Sequence, residues 1–174
     1  MALLPIIIAP DPRLKITTEP VETVDDEVRQ FMDDMLDSMH AANGIGLAAP
    51  QVGDHRSIIV VDVAGKDEEP DPIRMVNPEI VWVSDQDYLH EEGCLSLPEY
   101  YADVVRPEAV RVRYIDGNNK PQELEAEGLL AICVQHEIDH LDGILFVDHI
   151  SSLKRNMILR KLVKAKRLAE AESA

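Results

Sequence analysis

The stretch Gln135–Gly143, QHEIDHLDG, contains His-Glu-x-x-His. Side chains four residues apart on a helix share one face, with about 5–6 Å between their Cβ atoms. His136 and His140 can therefore hold one metal ion, and Glu137 between them can take a proton from an attacking water. Two imidazoles do not complete a catalytic centre. The extended pattern that places another His ten residues after the first fails here, because position 146 is Phe. Of the acids that follow, Asp142, Asp148, Glu170 and Glu172, none is a convincing ligand, and the two Glu lie in a charged C-terminal end. Upstream, HEEGCLSLPEYY (90–101) puts Cys94 beside Gly93 at an expected strand end or turn. A thiolate from a strand and two imidazoles from a helix make three protein ligands and leave one tetrahedral position for water. The alternative for Cys94 is a small buried hydrophobe, as most free cysteines are, and that description suits Cys133.

A third stretch, GIGLAAPQVG (44–53), is weak alone. Glycines after a helix are ordinary stop signals, and the spacing is not that of a phosphate-binding glycine loop.

These groups need elements to position them. Val28, Met32, Met35 and Met39 recur at helical spacing, with acids before them and Gly44 as a stop, predicting a helix near 25–42. RSIIVVDV (56–63) reads as a buried strand and AGKDEEPDP (64–72) as a loop. RMVNPEIVWVS, AVRVRYID and QELEAE read as further strands, the last two joined by the hairpin turn GNNK. LLAICVQHEIDHLDG is apolar nearly all round before its histidines, as a helix buried in the core would be. A last helix is expected from about 152 to 170, capped by Ser151 or Ser152. The fold class is α+β: antiparallel or mixed sheets around a buried central helix, with helices at both ends.

With 174 residues, 45% hydrophobic and 29% charged, the chain fits one domain, 1–174, in which 152–174 forms a C-terminal helix. No apolar run approaches the ~18 residues of a membrane span, and Pro5 and Pro10 break the apolar start, so neither a membrane segment nor a signal peptide is expected. Two cysteines make no disulfide framework and point to a reducing cytoplasm. The net charge of −16 is uneven: Lys154, Arg155, Arg160, Lys161, Lys164, Lys166 and Arg167 fall in one stretch without an acid. The acidic body repels nucleic acid, so no free DNA is expected as partner, whereas the tail attracts it.

Together the three stretches resemble the peptide deformylase family, which carries G-φ-G-φ-A-A-x-Q, E-G-C-φ-S and H-E-x-D-H in this order, φ being apolar. Here they stand as Gly44-Ile45-Gly46-Leu47-Ala48-Ala49-Pro50-Gln51, Glu92-Gly93-Cys94-Leu95-Ser96 and His136-Glu137-Ile138-Asp139-His140, and Asp11–Leu14 is similar to the family's N-terminal segment. The resemblance implies that Cys94, His136 and His140 bind one divalent metal, Fe²⁺ natively, with Zn²⁺, Ni²⁺ or Co²⁺ able to replace it. It implies Glu137 as the general base, and the Gln51 amide and the Leu95 backbone N–H as donors to the oxyanion. The methionine pocket would draw on Ile45, Glu92, Leu129, Ile132 and Cys133. Glu92 is better read as a carboxylate paired with Arg106 that steadies the cysteine loop. Gly44, Gly46 and Gly93 would border the bound peptide backbone. The implied reaction removes the formyl group from the formyl-methionine of nascent polypeptides, with Lys154–Arg167 docking on the ribosome. Two rival readings are a metalloprotease with another third ligand and a closed structural metal site in an RNA-binding module.

Overall fold

Ile58, Ile59, Val60 and Val61 are all buried, which a strand covered on one face only would not allow. The computed structural model, which describes residues 2–173, shows why. Among the described residues it contains three α-helices, α1 (Asp26–Ala41), α2 (Gly128–Leu141) and α3 (Ser152–Ser173). It also contains seven strands: β1 (Gly46–Ala48), β2 (Ile58–Val61), β3 (Ile73–Val83), β4 (Asp87–Cys94), β5 (Leu97–Pro107), β6 (Ala109–Ile115) and β7 (Pro121–Glu127). Five strands form an antiparallel sheet in the order β1-β2-β3-β6-β7, and β4 pairs with β5 in a separate hairpin. In the larger sheet β2 lies between two helices. Ile58 and Val60 pack with Met32, Met35 and Met39 of α1, while Ile59 and Val61 pack with Ala131, Val134 and Leu141 of α2. The fold is α+β, with the motif-bearing helix buried against the sheet.

α1 starts where Asp25 accepts a hydrogen bond from the Val28 N–H at 2.9 Å, an N-cap followed by Asp26 and Glu27 in the first turn. Its end differs from the expectation. The left-handed residue is Asn43, at φ 59°, and not Gly44. Gly44 serves close packing instead: a Cβ there would lie 2.6 Å from Leu95 Cδ1. Two asparagines with left-handed backbone, Asn77 and Asn119, each clamp the chain leading into α1. Asn119 of the GNNK turn accepts from the Val24 N–H at 2.7 Å and donates to its carbonyl at 2.6 Å, and Asn77 treats Val21 the same way.

The hairpin of β4 and β5 is longer than the strand end or turn expected at 90–101. β5 alternates between buried Ala102, Val104 and Arg106 and exposed Tyr101, Asp103 and Val105. Its inner face meets Leu14, Leu145, Phe146, Val147, Ile158 and Leu162 in a third cluster. Only Ile158 and Leu162 of α3 are fully buried there, and every residue from Lys164 to Ser173 is exposed. The Ser151 hydroxyl caps α3 by accepting from the Lys154 N–H. Among the described residues, no helix is long and apolar enough to cross a membrane.

Candidate metal centre

α2 brings its two histidines into the core with different roles for their ring nitrogens. His136 Nδ1 donates to Glu92 Oε1 at 2.9 Å, which leaves Nε2 as a lone-pair donor. His140 Nε2 lies 3.5 Å from Cys94 Sγ, and the two rings sit edge to face with centroids 5.1 Å apart. The donor atoms of Cys94, His136 and His140 all fall within 4.8 Å of one another. Cys94 arrives at the end of β4, where the register shifts between Gly93 and Cys94, and its thiol sits among the two imidazoles. Among the described residues the cluster holds no fourth ligand, so it suits an open site and not the closed structural one.

Three observations fit this triad to a divalent ion. The donor set is one thiol and two imidazoles. The outer nitrogen of His136 is fixed by a carboxylate that is itself held by a guanidinium: Arg106 donates to both oxygens of Glu92, at 2.5 and 2.9 Å, and all these groups are buried. Glu137 Oε1, on a residue that lines the cavity beside the triad, is buried with no protein partner and is left for something other than protein.

Electrostatics sort the carboxylates. Burial pushes Glu137 up to about 7. Glu92 falls to about 2 although burial opposes this, because the hydrogen bonds from His136 and Arg106 favour its charged form. Burial drives His140 well below the usual histidine range and Cys133 well above the usual thiol range. Two buried carboxylates on one site thus differ sharply in basicity. Glu137 is the one poised to exchange a proton near neutrality.

Beside the triad lies a cavity of about 420 Å³. Gly44, Ile45, Gly46, Gln51, Glu92, Gly93, Cys94, Leu95, Leu129, Ile132, Cys133, His136 and Glu137 line it, while His140 and Arg106 stand behind the wall. Gly46 has a specific reason: a Cβ there would lie 2.5 Å from Glu137 Oε2 and 2.8 Å from Cys133 Sγ. Gly93 leaves room for the Tyr101 ring, which would come within 2.5 Å of an added Cβ. Cys133 is buried, as its position on α2 suggested, and its thiol donates to the Ile45 carbonyl at 3.5 Å. Gln51 is buried with its amide fixed at both ends. Its oxygen accepts from the Ala48 N–H at 2.9 Å, and its nitrogen donates to Ser96 Oγ at 3.0 Å and approaches Cys94 Sγ at 3.5 Å.

Three residues of this neighbourhood escape a reading of the sequence. Ser96 and Asp139 stand inside the quoted motifs, so their positions were visible but their partners were not. His149 is solvent-exposed, with 37% of its side chain accessible, and its Nε2 also donates to Asp139 Oδ2 at 2.8 Å.

A family model described as "Polypeptide deformylase" matches residues 3–156. The chain is 54% identical to a peptide deformylase of Methylocella silvestris over 99% of its own length and 89% of that protein. It is 50% identical to one of Rhizobium meliloti over 99% of both. Among solved structures, a peptide deformylase of Ehrlichia chaffeensis in complex with actinonin aligns at a TM-score of 0.92 and 42% identity, over 96% of this chain and 99% of that one. One of Legionella pneumophila aligns at 0.89 and 48%, over 97% and 98%. The matched residues 3–156 span both sheets and the three motif-bearing stretches, and the chain belongs to the polypeptide deformylase family, metal-dependent hydrolases that remove the N-formyl group from nascent polypeptides.

Proposed function

We propose that this chain deformylates formyl-methionyl polypeptides at the Cys94–His136–His140 centre, with Glu137 as its general base. The observation that carries this reading is the buried Glu137 carboxyl, poised near neutrality and unpartnered at Oε1, beside three clustered ligand atoms. A divalent ion held by the triad supplies Lewis acidity and lowers the pKa of water there. Glu137 accepts the proton as water attacks the formyl carbon, and returns it to the departing amine, so that formate and a free N-terminus leave. The Gln51 amide and the Leu95 backbone N–H donate to the oxygen that gains charge in the tetrahedral intermediate. The Gln51 nitrogen is already aimed at Cys94 by its bonds to Ala48 and Ser96.

Ile45, Leu129, Ile132 and Cys133 offer an apolar slot that suits an unbranched thioether. Gly44, Gly46 and Gly93 border it, letting a peptide backbone lie against the wall. Glu92 and Arg106 act behind it by holding His136. Fe²⁺ is the native ion in this reading, with Zn²⁺, Ni²⁺ and Co²⁺ as substitutes. The enzyme works as one domain in the cytoplasm, and the exposed basic side of α3 meets ribosomal RNA through contacts that weaken steeply with salt.

The test is anaerobic reconstitution with Fe²⁺ and assay of formate release from a short formyl-Met peptide. Formate released in proportion to bound iron supports the proposal. Cleavage of internal peptide bonds without formate release would overturn it.

A further inference from the structure

Asp139 lies on α2 between the two histidine ligands and faces away from the cavity. Its Oδ2 receives two donors: Arg106 Nη1 at 2.9 Å and His149 Nε2 at 2.8 Å. Arg106 is 5% exposed, and its other two nitrogens are taken by Glu92, whose Oε1 also accepts from His136 Nδ1. A continuous chain of charge-assisted bonds thus runs from His149 through Asp139, Arg106 and Glu92 to the ligand His136, no link longer than 2.9 Å. Each member is fixed by its neighbours. Arg106 is suspended between two carboxylates, and one of them, Asp139, reaches solvent with 22% of its side chain exposed. Without His149 that carboxylate has one protein donor left and is free to turn toward water.

The other end of the chain is anchored as well. His149 closes the 3-10 turn Phe146–His149, in which Phe146 is buried and stacked on the His136 ring, centroids 6.1 Å apart at 25°. Asp148 of the same turn accepts from Lys15 Nζ at 2.6 Å. One short turn therefore packs against the ligand directly and also delivers the residue that braces the ligand's outer partners.

We propose that His149 is a positioning residue for the metal centre, holding Asp139 so that Arg106 and Glu92 keep His136 in its ligating orientation. This rests on Cys94, His136 and His140 being the ligands. Partners outside a ligand set that touch a ligand directly are worth about 10–100-fold in metal affinity. His149 acts through three intervening side chains, so its removal should cost about tenfold or less.

The experiment compares zinc-loaded full-length wild type, His149→Ala, His149→Gln and Cys94→Ala by the rate of zinc transfer to a chromophoric chelator, with kcat and KM for a short formyl-Met peptide. His149→Ala should release zinc several-fold faster and lose kcat while KM holds, since His149 does not line the cavity. His149→Gln, which keeps an N–H donor, should restore most of the retention. Wild-type release by His149→Ala, or a Gln variant no better than Ala, overturns the proposal. Cys94→Ala separates the two levels. If it keeps its zinc, the ligand assignment itself fails; if it loses zinc while His149→Ala does not, only the role of His149 falls.

Discussion

Glu137 shows how much a single residue can reveal in sequence and what it withholds. Its place between two histidines marks it as a base and not a ligand, because a carboxylate one position from His136 cannot reach the shared face. What the spacing does not carry is the environment that tunes it, full burial with one oxygen unpartnered. Glu137→Gln keeps the shape and removes the basicity, so the account expects metal content near wild type and turnover lowered by about 10²–10⁴. Elemental analysis beside a formate assay decides it, and near-normal turnover removes Glu137 from the mechanism. Gln51 is the opposite case. Taken alone it is an ordinary loop residue, and only the pattern around it singled it out. Of the bonds that fix its amide, the one to Ala48 is local, but the one to Ser96 reaches a segment 45 residues away in sequence, which no local pattern encodes.

Among the elements, α1, β2, β3, β6, β7 and α2 were legible because each has a clear period or composition. The methionine stripe of α1 and the unbroken Ile-Ile-Val-Val of β2 report their burial directly. The hairpin of β4 and β5 was not. Its outer face mixes Leu89, Tyr101 and Val105 with Glu91 and Asp103, so polar and apolar residues do not alternate cleanly. The glycines were legible as glycines but not in purpose. Gly46 looks like a turn residue, yet it lies in β1 and makes space for Glu137 and Cys133. Gly46→Ala should therefore leave the fold and the ligands in place while displacing the base, with kcat reduced about ten- to a hundredfold. An unchanged kcat with a folded, metal-loaded variant would show that Glu137 does not need this gap.

At the scale of the whole molecule, Asp148 ties the N-terminal segment to the last helix. Burial alone would raise its pKa, but the hydrogen bonds from Lys15 and the Leu145 N–H and the charge of Arg155 win, and the carboxyl falls below its ordinary 3.8. A carboxyl depressed in the folded state adds stability above its unfolded pKa and loses it as pH falls through the folded one. Asp148→Asn should therefore cost about 1 kcal/mol at pH 7, a figure reduced for the half-exposed Lys15. The gap from wild type should narrow as pH drops below about 4. Urea denaturation at the two pH values checks both the size and the sign. The C-terminal helix was legible as a basic, partly apolar segment. Its reach was not, since only the packing shows that it leaves the body after Val163. Truncation after Ile150 removes two buried core residues, Ile158 and Leu162. Lys161→Glu with Lys164→Glu and Arg167→Glu is therefore the cleaner probe. It should abolish low-salt co-sedimentation with ribosomes and leave turnover of a short formyl-Met peptide unchanged, and undiminished co-sedimentation would end the docking idea.

The central claim is that the half-buried Cys94, and not the buried Cys133, completes the metal centre with His136 and His140. Both thiols border the same cavity, and only Cys94 lies within reach of both imidazoles. Metal content per chain after exhaustive dialysis, measured in parallel for Cys94→Ala and Cys133→Ala, puts this to the test directly. The account predicts nearly metal-free Cys94→Ala and about one ion per chain for Cys133→Ala; equal losses in the two variants, or retention by Cys94→Ala, would contradict it.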